Sequence, residues 1–164
     1  MMILLSSIEQ PDLRPVSSRG ARTLYRLRQA HCIEWIYGLD CWRVSIPEGF
    51  LCDGASCPRL LWSVTGIAPD GVHRMAALHH DFLYEHRGQL PEGTFERRPL
   101  GGGVWEPCQS AWSRKDADRL FCALLRESGI GFFRRRLMFL GVRLGGWIPW
   151  HIHPWAQRLW ADFR

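Results

Sequence analysis

The hydrophobic pattern changes character along the chain. From Thr23 to Gln29 it alternates, with Leu24, Arg26 and Arg28 set against Tyr25 and Leu27. The runs Cys32–Tyr37 and Cys41–Ile46 are rich in β-branched and aromatic residues. A period of two in segments this short predicts strands. Gly38-Leu39-Asp40 suits a turn joining the last two runs as a hairpin, and Pro47-Glu48-Gly49 punctuates before Phe50-Leu51-Cys52. The result expected is one small antiparallel sheet near the N-terminus. Residues 1–22 carry Pro11, Pro15, a Ser pair and Gly20, and predict an irregular arm.

Beyond Pro58 the period lengthens. Leu60, Leu61, Trp62 and Val64 form a short apolar piece that ends near Gly66. From Val72 to about His86, Met75, Ala76, Leu78, Phe82 and Leu83 recur at helical spacing. Ser113 to Arg126 predicts the next helix, with Ser113 as N-cap, Asp116 in the first turn, a stripe of Leu120, Phe121, Leu124 and Leu125, and Gly129 as the stop. Phe132 to Leu144 is a third, closed by Gly145-Gly146. Between the first two, residues 88–113 hold Gly88, Pro91, Gly93, Pro99, Gly101-Gly102-Gly103 and Pro107, and predict a long loop. The fold class expected is α+β, a single domain over 23–145 followed by a tail over 146–164.

Composition narrows the class. With 164 residues, 46% hydrophobic and 23% charged, the chain suits one globular core and is far from the disordered or collagen-like extremes. The formal charge of +5 is concentrated, since residues 130–164 contain six Arg against one Asp. That basic segment also carries Trp147, Trp150, Trp155 and Trp160, a pairing suited to a lipid interface or a protein contact. Nucleic acid ranks lower as a partner, because no recognition motif accompanies the charge. No uninterrupted apolar stretch is long enough for a transmembrane segment, and Met1-Met2-Ile3-Leu4-Leu5-Ser6-Ser7 lacks the basic start of a signal peptide. Six Cys without a CxxC pair favour buried free thiols over disulfides or zinc.

Two segments carry candidate chemistry: Asp53-Gly54-Ala55-Ser56 directly after a strand, and His79-His80-Asp81-Phe82-Leu83-Tyr84 on a helix. Helical neighbours point about 100° apart, so His80 and Asp81 serve different partners, whereas Tyr84 shares the face of His80. With Asp81 turned to the Asp53 loop, two carboxylates and nearby carbonyls make an oxygen-rich site suited to a hard divalent cation. His80 then faces the helix of Asp118, where a buried carboxylate fixes one ring nitrogen and leaves the other to take a proton from water. Each residue also has a plainer reading: Asp53 in an Asx turn, Asp118 paired with Arg114, Tyr84 as a core aromatic, and His79 in place of His80 at the site.

Two resemblances add to this reading. The stretch from Ile46-Pro47-Glu48-Gly49-Phe50 through Asp53-Gly54-Ala55-Ser56 to Trp62, then Ala76 to Tyr84, then Arg114 to Phe121, resembles an uncharacterised family of small phage and prophage proteins known as a domain of unknown function. More distantly, His80-Asp81-Phe82-x-Tyr84 with Asp118-x-x-Phe121 is similar to the central helix pair of secreted phospholipases A2, especially the short prokaryotic type. That resemblance implies His80 as base, Asp118 as its orienting carboxylate with Tyr84 beside it, and Ca2+ held by Asp53, the Gly54 carbonyl and Asp81. The function expected is metal-assisted ester hydrolysis by a phage-encoded protein of the host cytoplasm or virion. The alternative is a non-enzymatic tail or other virion component that meets other phage proteins, or a lipid interface, through its C-terminal tail.

Overall fold

The computed structural model describes residues 3–4, 9–19, 22–52, 72–109 and 111–151. The Asp53 loop, the apolar piece at Leu60–Val64 and most of the basic Trp-rich tail lie outside the described residues.

The class is α+β, with two small antiparallel sheets where the alternating pattern predicts one. The larger has the strand order β1 (Ile3–Leu4), β4 (His31–Tyr37), β5 (Asp40–Ile46), β7 (Phe95–Pro99), β8 (Glu106–Pro107). The smaller has the order β2 (Leu13–Arg19), β3 (Arg22–Leu27), β6 (Leu51–Cys52). The β4–β5 hairpin turns through Gly38 at φ 69°, a left-handed conformation that glycine adopts without a Cβ penalty. Leu27, Ile33, Val44 and Ile46 are fully buried, and the expected alternation places them all in the core.

Two expectations need correction. The arm over 1–22 contains β2, which pairs with β3 from Leu13↔Leu27 to Arg19↔Arg22 and shifts register between Pro15 and Ser17. The prolines signal irregularity, but the irregularity is a bulge in a sheet edge, where an absent N–H is tolerated. The long loop over 88–113 contains β7, which pairs with β5 from Asp40↔Pro99 to Val44↔Phe95. Its single apolar anchor, Phe95, stacks on Trp42 at 5.4 Å and meets Trp112 edge-on at 5.3 Å. Arg43 donates from Nε to Glu96 Oε2 at 2.8 Å directly across the strands. Cross-strand pairing and aromatic burial thus build a strand that its charged sequence hides.

Three main helices follow: α1 (Arg74–Glu85), α2 (Arg114–Glu127) and α3 (Phe132–Gly145), with a short α4 (Trp147–His151) after them. Ser113 caps α2 by accepting the Asp116 N–H at 3.2 Å. α1 buries Met75, Ala76, Leu78, His79, His80, Phe82, Leu83 and Tyr84, so it is wrapped on most sides instead of presenting one stripe. It packs against α2, which packs in turn against α3. Among the described residues no helix is long and apolar enough to cross a membrane. The thiols are less uniformly buried than expected: Cys41 and Cys52 are enclosed, Cys108 and Cys122 partly so, and Cys32 is exposed.

Candidate functional site

Burial on most sides of α1 brings two consecutive histidines inside, and their offset of about 100° sends them to different neighbours. His80 turns to α2. Its Nε2 lies 3.1 Å from Asp118 Oδ1, with the Asp118 side chain wholly enclosed. A carboxylate only accepts, so Nε2 carries the proton and Nδ1 holds the lone pair. Among the described residues Nδ1 has no hydrogen-bond partner.

Tyr84, one helical turn beyond His80, donates its hydroxyl to the same Asp118 Oδ1 at 2.6 Å. The rings of Tyr84 and His80 are 4.1 Å apart, and Phe121 on α2 covers the imidazole at 4.9 Å. The other carboxylate oxygen, Oδ2, accepts from Arg143 Nη1 at 2.7 Å. Arg143 stands in the last turn of α3, and its backbone carbonyl accepts from Arg114 Nη1 at 2.9 Å, which satisfies one of the carbonyls left open where a helix ends. Trp150 of α4 meets Tyr84 edge-on at 4.9 Å. Between α3 and α4 a Cβ on Gly146 would collide with the Tyr84 hydroxyl, so glycine is what lets the phenol in.

The electrostatics follow from this enclosure. Burial alone raises a carboxyl, but the hydrogen bonds from His80, Tyr84 and Arg143 outweigh it and hold Asp118 below its usual range. Burial lowers His80 against the opposing pull of Asp118, so the imidazole is neutral at neutral pH. Burial and the adjoining carboxylate both push the Tyr84 hydroxyl upward, and it remains a donor. The arrangement is an oriented neutral imidazole with one basic nitrogen.

His79 takes a different course. It is fully buried, and its Nε2 lies 3.0 Å from Nδ1 of His31 on β4. His31 Nε2 reaches the Glu9 carbonyl at 3.0 Å. The structure therefore brings together His80, Tyr84 and Asp118, and places His79 at the sheet instead. Asp81 is half-buried on α1 beside His80, while Asp53 and Gly54 lie outside the described residues. Among the described residues no three His, Cys, Asp or Glu side chains gather as metal ligands. Arg114 contacts the Arg143 carbonyl, and Asp118 takes Arg143 as its cationic partner. Sequence reasoning missed Arg143, whose only signal is a basic residue in the last turn of a helix.

No curated protein and no solved structure matches the chain. A family profile does match, over residues 32–142, which is more than half of the chain and includes His80, Tyr84 and Asp118 together with all but the last turn of α3. The chain belongs to the family described as "Protein of unknown function (DUF1353)".

Proposed function

We propose that this chain is a phage-encoded, metal-assisted ester hydrolase in which His80 is the general base and Asp118 its orienting carboxylate. The supporting observation is the buried hydrogen bond from His80 Nε2 to a carboxylate held ionised by Tyr84 and Arg143. The phage assignment rests on the motif run from Ile46 to Phe121.

His80 Nδ1 takes a proton from water as the water oxygen attacks the ester carbonyl. The same nitrogen returns that proton to the departing alkoxide as the acyl C–O bond breaks. Asp118 stays ionised throughout. It stabilises the imidazolium that forms, and it keeps the ring in the one tautomer that leaves Nδ1 basic. Tyr84 and Arg143 donate to the same carboxylate and hold it ionised, so it does not take the proton itself.

The donor set of Asp53, the Gly54 carbonyl and Asp81 is all oxygen, which fits a hard divalent cation such as Ca2+. Bound there, the cation would polarise the carbonyl and stabilise the oxyanion.

The test is release of fatty acid from mixed phospholipid vesicles at rising calcium. The parent is expected to release it in a calcium-dependent manner and His80→Asn to abolish release. No release by the parent at any calcium concentration overturns the proposal. Presence at fixed stoichiometry in intact particles, with full infectivity after His80→Asn, would replace it with the assembly role.

A further inference from the structure

α3 has apolar side chains on two opposite sides. Met138 and Val142 point into the core. Phe132, Phe133, Leu140 and Leu144 fall within an arc of about 120° on the other side. They are exposed by 55%, 86%, 52% and 76%, and Trp147 of α4 follows at 57%. An amphipathic helix that only closes a core carries polar residues there, and contiguous exposed apolar groups of this size mark an interaction surface.

Charge selects the occupant. Arg136 stands within the arc, its guanidinium 5.4 Å from the Phe132 ring, and Arg134 is also exposed. From Ser128 to His151 the sequence has no Asp or Glu. A second copy docked on the same arc would set arginine against arginine with no carboxylate to compensate. An anionic bilayer places phosphates at the level of the guanidiniums and acyl chains beneath them, so apolar rings enter while arginine stems extend back to the headgroups. Side chains as prominent as Phe133 need no complementary pocket there.

We propose that the outward arc of α3, continued by Trp147, is a docking face for an anionic lipid surface. This does not depend on the hydrolase assignment, because it uses none of the groups around Asp118. It does place the lipid against the helix that also supplies Arg143 to Asp118.

Flotation of the full chain with phosphatidylcholine vesicles, and with phosphatidylcholine–phosphatidylglycerol vesicles, tests the face. Binding is expected with the anionic vesicles and is expected to weaken as salt rises. Phe133→Ser and Leu144→Ser are each expected to reduce partitioning by about tenfold, the scale of withdrawing one large apolar side chain from an apolar phase. Both residues are exposed, so the fold survives their loss. Neither variant is expected to alter hydrolysis of a soluble short-chain ester, and His80→Asn is expected to float like the parent. The proposal is overturned if the parent floats with neither vesicle, or if the two serine substitutions together leave flotation intact. It is equally overturned if sedimentation shows a dimer that Phe133→Ser dissolves, which would make the arc a contact between copies. Fatty-acid release without flotation would remove the docking face and leave the hydrolase reading standing.

Discussion

Asp118 accepts hydrogen bonds from His80 and Tyr84 on α1 and from Arg143 on α3, while its own backbone belongs to α2. A side chain with no exposed surface and three charge-assisted or phenolic donors has two separable jobs, holding three helices together and orienting a ring. Tyr84→Phe removes one donor without changing shape. It is expected to cost about 1.5–3 kcal/mol in urea unfolding, the range for a hydrogen bond to a charged group. Asp118→Asn keeps the volume but turns one oxygen into a donor, so His80 loses the fixed tautomer. Ester hydrolysis by Asp118→Asn is then expected to fall much further than by Tyr84→Phe. Equal activity losses in the two variants would show that the carboxylate acts only as a fastener. The spacing of four between His80 and Tyr84 was legible in the sequence, because helical geometry alone puts them on one face. Arg143 was not, since its approach to Asp118 depends on how α3 crosses α2, and no local period encodes a crossing.

At the scale of elements, the three main helices were legible to within a residue or two at each end, because Ser113, Gly129 and Gly145-Gly146 are local stop and start signals, whereas the short α4 lies in what read as a tail. The strands β2 and β7 were not, because what stabilises them lies in other strands: β2 leans on β3, and β7 on Trp42 and Arg43 of β5. Where β7 and its neighbours hand over to α2, one glycine carries the constraint. Gly88 follows α1 at φ 74°, and a Cβ there would land on the carbonyl oxygen of Trp112. That close approach lets the Trp112 N–H donate to the Gly88 carbonyl at 2.9 Å, one residue before the Ser113 cap. Gly88→Ala meets both the left-handed backbone cost and a backbone clash, and is expected to lose about 1–3 kcal/mol. Because the displaced segment starts α2, hydrolysis should fall along with the melting temperature. A variant that melts like the parent would show that the Trp112 segment can retreat without cost.

Across the whole molecule, the titrations set a window of stability with two edges. His79 is pushed well below its ordinary 6.5 by burial and then by His31, and His80 is lowered by burial despite Asp118. Both are neutral when folded and free to protonate when unfolded. Below about pH 6.5 the unfolded chain therefore binds more protons, and stability falls as pH falls, by up to about 1.4 kcal/mol per pH unit for each histidine. Asp118, also depressed, adds its loss only at pH values below its ordinary 3.8, where the unfolded carboxyl takes up a proton that the folded one refuses. Tyr84 acts in the opposite sense. Its folded value is raised, so the unfolded phenol ionises first, and stability falls as pH rises past the ordinary 10.0. Urea midpoints are expected to be level between about pH 7 and 9 and to drop steeply from pH 6.5 to 5. A flat acid limb would mean that the unfolded and folded histidines titrate alike, which the enclosure of α1 does not permit. The acid limb bears on chemistry separately, since the protonation that destabilises the fold is taken up by the unfolded chain, while the folded imidazole keeps the Nδ1 lone pair to a lower pH. Hydrolysis should therefore outlast the first loss of stability on the acid side, falling only where the folded imidazole itself protonates or the fold gives way, and should persist on the alkaline side until the fold itself is lost.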